Sequence, residues 1–173
     1  IKMKLYVLLF IALFMFHEME EICGFSVWLE RNMAMLKKKY PFWAKEYEFH
    51  STEGFAAAVY EEFIVLLIVS FMCIGVESYG LWFGMLVGFT GHLIVHIIFS
   101  IVIRQYIPAL ITSVLVIVPC VLLIFNVLNA INVGIVFVIF AVVGLILMAL
   151  NLKLSHLLMN AVTKKLYENK AQK

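Results

Sequence analysis

The sequence predicts an all-α integral membrane protein, folded as a bundle of five transmembrane helices with an interfacial segment after the first. Hydrophobic residues make up 65% of the chain and the mean hydropathy is +1.05, whereas soluble domains are roughly 45–50% apolar. Five stretches hold the roughly 20 apolar residues that one bilayer crossing needs. They cover about residues 4–29, 55–76, 81–103, 107–128 and 132–153. No long linker separates them, so we expect a single domain over residues 1–173.

The N-terminal stretch starts like a signal peptide, with Lys2 and Lys4 ahead of an apolar run. No small-residue cleavage site follows, and a charged cluster lies where cleavage would occur. We therefore expect the first span to be retained.

The basic residues are distributed unevenly between the two sides of the predicted bundle. With five spans, the first loop, the third loop and the C-terminal tail share one side and carry eleven of the thirteen Lys and Arg residues. The other side carries only Lys2 and Lys4. Because Lys and Arg accumulate in cytoplasmic loops, we expect a multi-pass protein of the plasma membrane with a cytoplasmic C-terminus.

The stretch from Arg31 to Gly54 is the only sizeable loop, and it interleaves aromatic residues with Lys and Glu. Aromatic rings and long basic side chains suit the headgroup layer of a bilayer. We therefore expect residues 38–50 to lie along the membrane surface, with a solvated loop as the alternative. The second membrane helix should begin at Glu53 or Gly54, with Ser51 or Thr52 as its N-cap.

Ionisable residues inside the first span indicate a functional site. His17, Glu18, Glu20 and Glu21 interrupt an otherwise apolar run, and ionisable side chains are costly in hydrocarbon. In a helix, Glu20 and Glu21 follow His17 by three and four positions and share its face, whereas Glu18 should point elsewhere. One imidazole and two carboxylates on one face are typical of half of a metal or proton-transfer site.

A ridge of small and polar residues occupies every fourth position of the third span. Its members are Gly80, Gly84, Gly88, His92, His96, Ser100 and Arg104. Small residues let membrane helices approach closely, so we expect the first or second helix to pack on the glycines, within reach of both histidines. The pair His92 and His96 has the spacing of two-histidine metal sites on helices. The alternative is a packing ridge whose histidines only form hydrogen bonds across helices.

Similar depth in the membrane should bring the ionisable residues of three helices together. At about 1.5 Å per residue, those of the first three spans lie roughly 10–18 Å from the cytoplasmic helix ends. We expect His17, Glu21, His92 and His96 to bind a divalent metal ion. Mixed imidazole and carboxylate ligands favour zinc over iron.

Two further carboxylates are candidates for catalysis, Glu20 and Glu62. We prefer Glu62 to its neighbour Glu61 because Gly54, Ala58 and Glu62 form a small-residue ridge on the second span. The roles of Glu18, Glu61, His156 and Asn160 stay open from the sequence.

The motifs resemble those of the HXXEE family, small bacterial integral membrane proteins of the inner membrane that are named for this pattern. The resemblance rests on the pattern His17-x-x-Glu20-Glu21, on Gly88-x-x-x-His92 with His96, and on Tyr106-Ile-Pro108. The chain has Ala109 where the family pattern has Gly, and His92 where the family often has Asn. The resemblance implies the architecture and a special role for the motif, and it supplies no activity.

The residues together predict a membrane-embedded, metal-dependent enzyme, a hydrolase that acts on a lipid-like small molecule entering from the bilayer. A redox di-iron centre is a variant of this hypothesis. The alternatives are a proton- or metal-coupled transporter or accessory subunit that uses the same cluster, and a structural protein with a satisfied polar core. Five spans are few for a transporter acting alone, which leaves a homodimer open. Nothing in the sequence indicates a nucleic-acid partner.

Overall fold

The computed structural model describes residues 2–171, and side chains through residue 168. Within that range every regular element is an α-helix, which confirms the all-α prediction. The helices are α1 (Lys2–Lys39), α2 (Pro41–Glu46), α3 (Thr52–Val76), α4 (Gly80–Ile103), α5 (Leu110–Ala130) and α6 (Ile135–Ala171). Lys173 and the side chain of Lys170, which contribute to the charge asymmetry, lie outside the described part.

Four helices, α3 to α6, are long and apolar enough to cross a membrane, as expected for a multi-pass membrane protein. The predicted number was five, and α1 is not among the four. Every 18-residue stretch of α1 carries at least three charged residues, because the glutamates interrupt its apolar first half and basic residues follow in its second half.

Two helices extend well beyond the spans that we expected. The first was predicted to end near residue 29 and continues to Lys39, while the last continues from about 153 to Ala171. Our boundaries followed the ends of the apolar runs. Both helices go on as amphipathic segments with a buried side, which carries Leu36 in α1 and Met159 and Thr163 in α6.

Glycines bring α4 and α6 into backbone contact. A Cβ atom on Gly84 would meet the carbonyl oxygen of Ala141, and one on Gly144 would meet the carbonyl oxygen of Leu81. The ridge therefore admits a close neighbour, but this neighbour is α6 rather than the first or second helix that we expected. The reason is that α6 presents a glycine of its own at the crossing.

Aromatic packing sets α1 against α4. The ring of Phe10 lies edge-on to that of Trp82 with centroids 5.9 Å apart, and Phe14 lies 5.5 Å from Phe89. All four rings are buried. The next turn of α1 brings His17 within 5.5 Å of Phe89, so the aromatic core positions the ionisable residues of the two helices.

The segment between α1 and α3 folds over one end of the bundle. Trp43 packs edge-on against Phe99 at 3.9 Å, and Tyr47 lies 5.3 Å from Phe25. In contrast, Phe42 is 72% exposed. The aromatic residues that we expected at the membrane surface are thus divided between the bundle and its surroundings, and the position of this segment relative to the headgroups stays a prediction.

Helix α3 begins at Thr52, one residue before the predicted start, and its N-cap is Ser51, one of the two caps that the sequence offered. The Ser51 side chain accepts a hydrogen bond from the Gly54 amide at 3.0 Å, and Glu53 lies in the first turn. The Ser51 hydroxyl also lies 2.9 Å from the Thr163 hydroxyl on α6. This contact fixes the start of α3 against α6.

Candidate metal centre

Four side chains from two helices converge at one buried point. His17 and Glu21 of α1 and His92 and His96 of α4 each offer a ligand atom, and these atoms all lie within 4.8 Å of one another. The Nε2 of His96 lies 2.8 Å from a carboxylate oxygen of Glu21 and 2.8 Å from the Nε2 of His92. The structure therefore brings together the four residues that the sequence proposed as metal ligands.

The hydrogen bonds of Thr112 define which nitrogen of His17 faces the cluster. The Thr112 hydroxyl lies 2.6 Å from a Glu20 carboxylate oxygen and 3.0 Å from His17 Nδ1. A hydroxyl has a single proton to donate, and the carboxylate is an acceptor only. Thr112 therefore donates to Glu20 and accepts from His17 Nδ1–H, which leaves a lone pair on His17 Nε2.

This Nε2 atom is buried and has no hydrogen-bond partner in the described part of the chain. A buried nitrogen without a partner is costly, whereas a metal ligand needs such a lone pair. Metal-binding histidines usually donate their other ring N–H to an oxygen that fixes their orientation. The surroundings of His17 fit a metal ligand on both counts.

Glu20 lies outside the cluster, and the catalytic role that we expected for it stays a prediction. Its carboxylate accepts hydrogen bonds from the backbone amide of Thr112 at 2.7 Å and from the Tyr106 hydroxyl at 2.6 Å. Burial and the adjacent Glu20 carboxylate raise the pKa of Tyr106 to about 12, so this phenol remains a donor. Glu20 therefore joins α1 to the start of α5 and acts on His17 only through Thr112.

The start of α5 explains why it needs a carboxylate from another helix. Its N-cap is Ala109, which has no capping side chain and has a φ of 81°, a conformation that glycine favours. This is the position where the HXXEE pattern has Gly. Glu20 provides the acceptor that Ala109 lacks, and a carboxylate at a helix N-terminus also interacts favourably with the helix dipole.

Gly24 on α1 leaves room for the Pro108 side chain. A Cβ atom on Gly24 would approach that side chain to 3.0 Å.

A cavity of about 160 Å³ adjoins the cluster. Its polar lining includes Glu21, His92 and His96 from the cluster, and Glu18, Glu62, Ser155 and His156 from elsewhere. Its apolar lining includes five aromatic residues. Such a volume accommodates several water molecules or a small chemical group, so the cluster borders a space that a ligand can occupy.

Glu18 is one of these lining residues, although we expected it to point elsewhere. It is only 3% exposed. At about 100° per residue, Glu18 and Glu21 lie about 100° and 40° from His17 in one direction, while Glu20 lies about 60° in the other. The buried rings of Phe10, Phe14 and Phe25 lie on the side of Glu18, but Phe16 lies on the opposite side and is 54% exposed. Large apolar residues thus occur on all sides of this part of α1, and the sequence carries no signal for the burial of Glu18.

Glu62 and Glu61 have different surroundings. Glu62 lines the cavity, is buried, and accepts a hydrogen bond from the Ser155 hydroxyl. Glu61 contacts the Asn151 amide at 3.4 Å and does not line the cavity. The structure thus places in the cavity the member of the pair that the small-residue ridge favoured.

The last helix contributes residues whose roles the sequence left open. His156 lines the cavity and lies 5.4 Å from the ring of Tyr47. Asn160 does not line it; the Asn160 amide donates to the Glu46 carbonyl at 3.1 Å. His156 therefore belongs to the cavity wall, and Asn160 attaches the segment between α1 and α3 to α6.

A tetrahedral ion could be held by small movements of these four side chains. Zinc lies about 2.0–2.2 Å from nitrogen and oxygen ligands, so two ligands of one ion are about 3.3 Å apart in a tetrahedron. The two 2.8 Å separations are slightly shorter than this, and the Glu21 to His92 separation of 3.9 Å is slightly longer. The cluster therefore has the composition of a metal centre, and its remaining ligand atoms, which lie within 4.8 Å of one another, would have to approach by up to about 1.5 Å to share one ion.

Fold and site together define a class: a multi-pass helical membrane protein with a buried cluster of histidines and glutamates. A family model described as "Protein of unknown function with HXXEE motif" matches residues 8–124. This is more than half of the chain, and the chain belongs to that family. The match includes all four residues of the cluster. No curated protein and no solved structure matches the chain.

Proposed function

We propose that the chain is a membrane-embedded, metal-dependent hydrolase whose substrate is a lipid-like molecule. The observation that carries the proposal is the convergence of His17, Glu21, His92 and His96 beside a cavity. Zinc is the favoured ion because three imidazoles and one carboxylate are ligands that it accepts.

The residues around the cluster have separable roles in this proposal. Thr112 and Glu20 hold His17 so that its Nε2 faces the ion. A catalytic zinc keeps one position open for water, so His17, Glu21 and His96 would hold the ion and His92 would lie beside it. The bound metal would then supply Lewis acidity, which activates water and polarises a carbonyl or phosphoryl oxygen. Glu62 would accept the proton of that water, since it lines the same cavity and Ser155 holds one of its oxygens.

The cavity wall supports access from the lipid. Among the lining residues, Val95 on α4 is 58% exposed, which supports an opening beside it. One turn further along α4, Ile98 is also apolar and exposed. A molecule with an acyl chain could enter here and keep its chain among the lipids.

The proposal includes five spans, with α1 as a crossing helix and a cytoplasmic C-terminus. Three glutamates in the apolar part of α1 give it too many charges by composition, and all three are buried or bonded within the bundle. Glu18 is 3% exposed, Glu20 accepts hydrogen bonds from Thr112 and Tyr106, and Glu21 lies 2.8 Å from His96. Intramembrane ionisable residues that face protein are tolerated for this reason.

Metal analysis of purified protein tests the proposal first. The full chain, isolated in maltoside detergent without chelators, should contain about one zinc ion per chain. His17→Gln, Glu21→Gln and His96→Gln should each lose most of the metal and still elute as monodisperse protein. His50→Gln is the matched control, because His50 bonds the Tyr47 carbonyl and does not line the cavity. Equal metal content in all of these proteins would refute the metal centre.

Activity is then measured on metal-loaded protein with short-chain ester and phosphodiester lipids. We expect hydrolysis that chelation abolishes and zinc restores, and that Glu62→Gln lowers without removing the metal. Glu61→Gln should retain activity. Metal that exchanges within seconds, together with metal or proton flux in vesicles and no hydrolysis, would instead support the transporter alternative.

A further inference from the structure

The cavity beside the metal cluster has a lining that selects for charge. Its charged residues are all acidic: Glu18, Glu21 and Glu62 line it, and neither Lys nor Arg does. The cluster accounts for Glu21 and the proposed function for Glu62, which leaves Glu18 without a role.

Glu18 is the carboxylate that the metal cluster does not explain. It is 3% exposed and lines the cavity. In the described part of the chain it takes part in none of the side-chain hydrogen bonds or ion pairs. A buried carboxylate without a partner is costly, so a ligand that supplies positive charge would be stabilised next to it.

Aromatic side chains from α1, α3, α4 and the segment between α1 and α3 form part of the cavity lining. Five rings line the cavity: Phe25, Trp43, Tyr47, Phe55 and Phe99. Three of them form a contiguous group, because Phe25 lies 5.3 Å from both Tyr47 and Phe55. Aromatic faces attract substituted ammonium groups through the quadrupole of the ring.

We propose that this cavity binds the ammonium head group of a lipid, with Glu18 and the aromatic rings recognising the cation. The inference rests on the proposed function, because it names the substrate class of the same site. The lipid is the source because the exposed lining residue Val95 shares α4 with the exposed apolar residues Ile94 and Ile98, which suit an acyl chain. A zwitterionic amine-headed lipid is therefore preferred to an anionic one.

The affinities of two short-chain lipids for the metal-loaded full chain test this inference. Dihexanoyl phosphatidylcholine and dihexanoyl phosphatidylglycerol differ only in the head group, and calorimetry in a non-ionic maltoside avoids a competing cation. We expect at least tenfold tighter binding of the choline lipid. Glu18→Gln and Trp43→Leu should each weaken it about tenfold with unchanged metal content and monodisperse elution. Glu61→Gln is the control and should bind like the unmodified chain.

Other outcomes overturn the inference in distinguishable ways. Equal affinity for the two lipids would exclude recognition of the cation, and choline alone binding as tightly as its lipid would exclude the lipid as the source. A second metal ion per chain that Glu18→Gln removes would assign the acidic residues to a dinuclear site.

The metal content separates this inference from the proposed function. A chain without metal that still binds the choline lipid through Glu18 would refute the hydrolase and leave the head-group site standing. A chain with stoichiometric metal that fails to distinguish the lipids would refute the head-group site and leave the proposed metal centre standing.

Discussion

The Nδ1 atom of His17 lies 3.0 Å from the Oγ1 atom of Thr112, a residue 95 positions further along the chain. This contact joins the four-residue cluster to Glu20, the first glutamate of the motif, since Thr112 donates to Glu20. The two glutamates of the HXXEE pattern thus have separate tasks. Glu21 belongs to the cluster, and Glu20 orients His17 from outside it.

Replacing Thr112 by Val should weaken metal binding without unfolding the protein. Valine has nearly the same shape but cannot accept from His17 Nδ1–H or donate to Glu20. Loss of such an orienting partner typically costs 10–100-fold in metal affinity, and we expect that range in competition with a chelator. Thr112→Ser, which keeps the hydroxyl, should stay within a few-fold of the unmodified chain. Equal metal affinity of the Val and Ser variants would show that the Thr112 hydroxyl does not orient His17.

Gly84→Ala should destabilise the bundle by about 1–3 kcal/mol, the usual cost of overpacking. Its methyl group would meet the Ala141 carbonyl and the Leu145 amide of α6, which are backbone atoms and cannot rotate away. Gly91→Ala on the same helix is the control, because nothing lies within 4 Å of a Cβ there. Unfolding in mixed detergent should give Gly84→Ala a lower free energy of unfolding than the unmodified chain, and Gly91→Ala an equal or higher one.

The membrane topology follows from whether α1 crosses. Single-cysteine variants at Lys4, Lys45 and Lys164, all exposed positions, can be labelled with an impermeant maleimide on intact cells. Five spans predict labelling at position 4 only, with positions 45 and 164 reached after permeabilisation. If positions 4 and 45 react alike, α1 does not cross and only four spans remain.

Ser51→Ala should lower the stability by about 1 kcal/mol, the typical cost of losing an N-cap. The variant loses the acceptor for the Gly54 amide and the contact with Thr163. Thr52→Ala removes an exposed hydroxyl one residue later and should have little effect. Thermal unfolding of both proteins in the same detergent makes the comparison, and equal losses would argue against Ser51 as the cap.

Local signals in the sequence were enough for the helices and for the choice of cluster residues. The apolar runs predict the helices, the Ser51 cap predicts the start of α3, and spacing with depth selects His17, Glu21, His92 and His96. These inferences need only the geometry of single helices. The ends of α1 and α6 were placed too early because their last turns are held by packing against other helices, which hydropathy does not report.

Contacts between distant parts of the chain could not be inferred in the same way. No pattern in the sequence assigns Thr112 to His17, Tyr106 to Glu20 or Ser155 to Glu62. The neighbour of the glycine ridge was also wrong, since the choice among helices depends on Gly144 facing Gly84 across the bundle. The burial of Glu18 could not be inferred either, because large apolar residues occur on all sides of α1 around it.

The backbone contact between α4 and α6 also determines the order in which the cavity is completed during synthesis. Of the described helices, α6 leaves the ribosome last, and it carries Ser155 and His156. Until it docks at Gly84, the other helices can assemble the four ligand residues while the wall opposite them is missing and Glu62 lacks its donor. If the proposed metal binds, the nascent protein would be able to take up the ion before its cavity is closed.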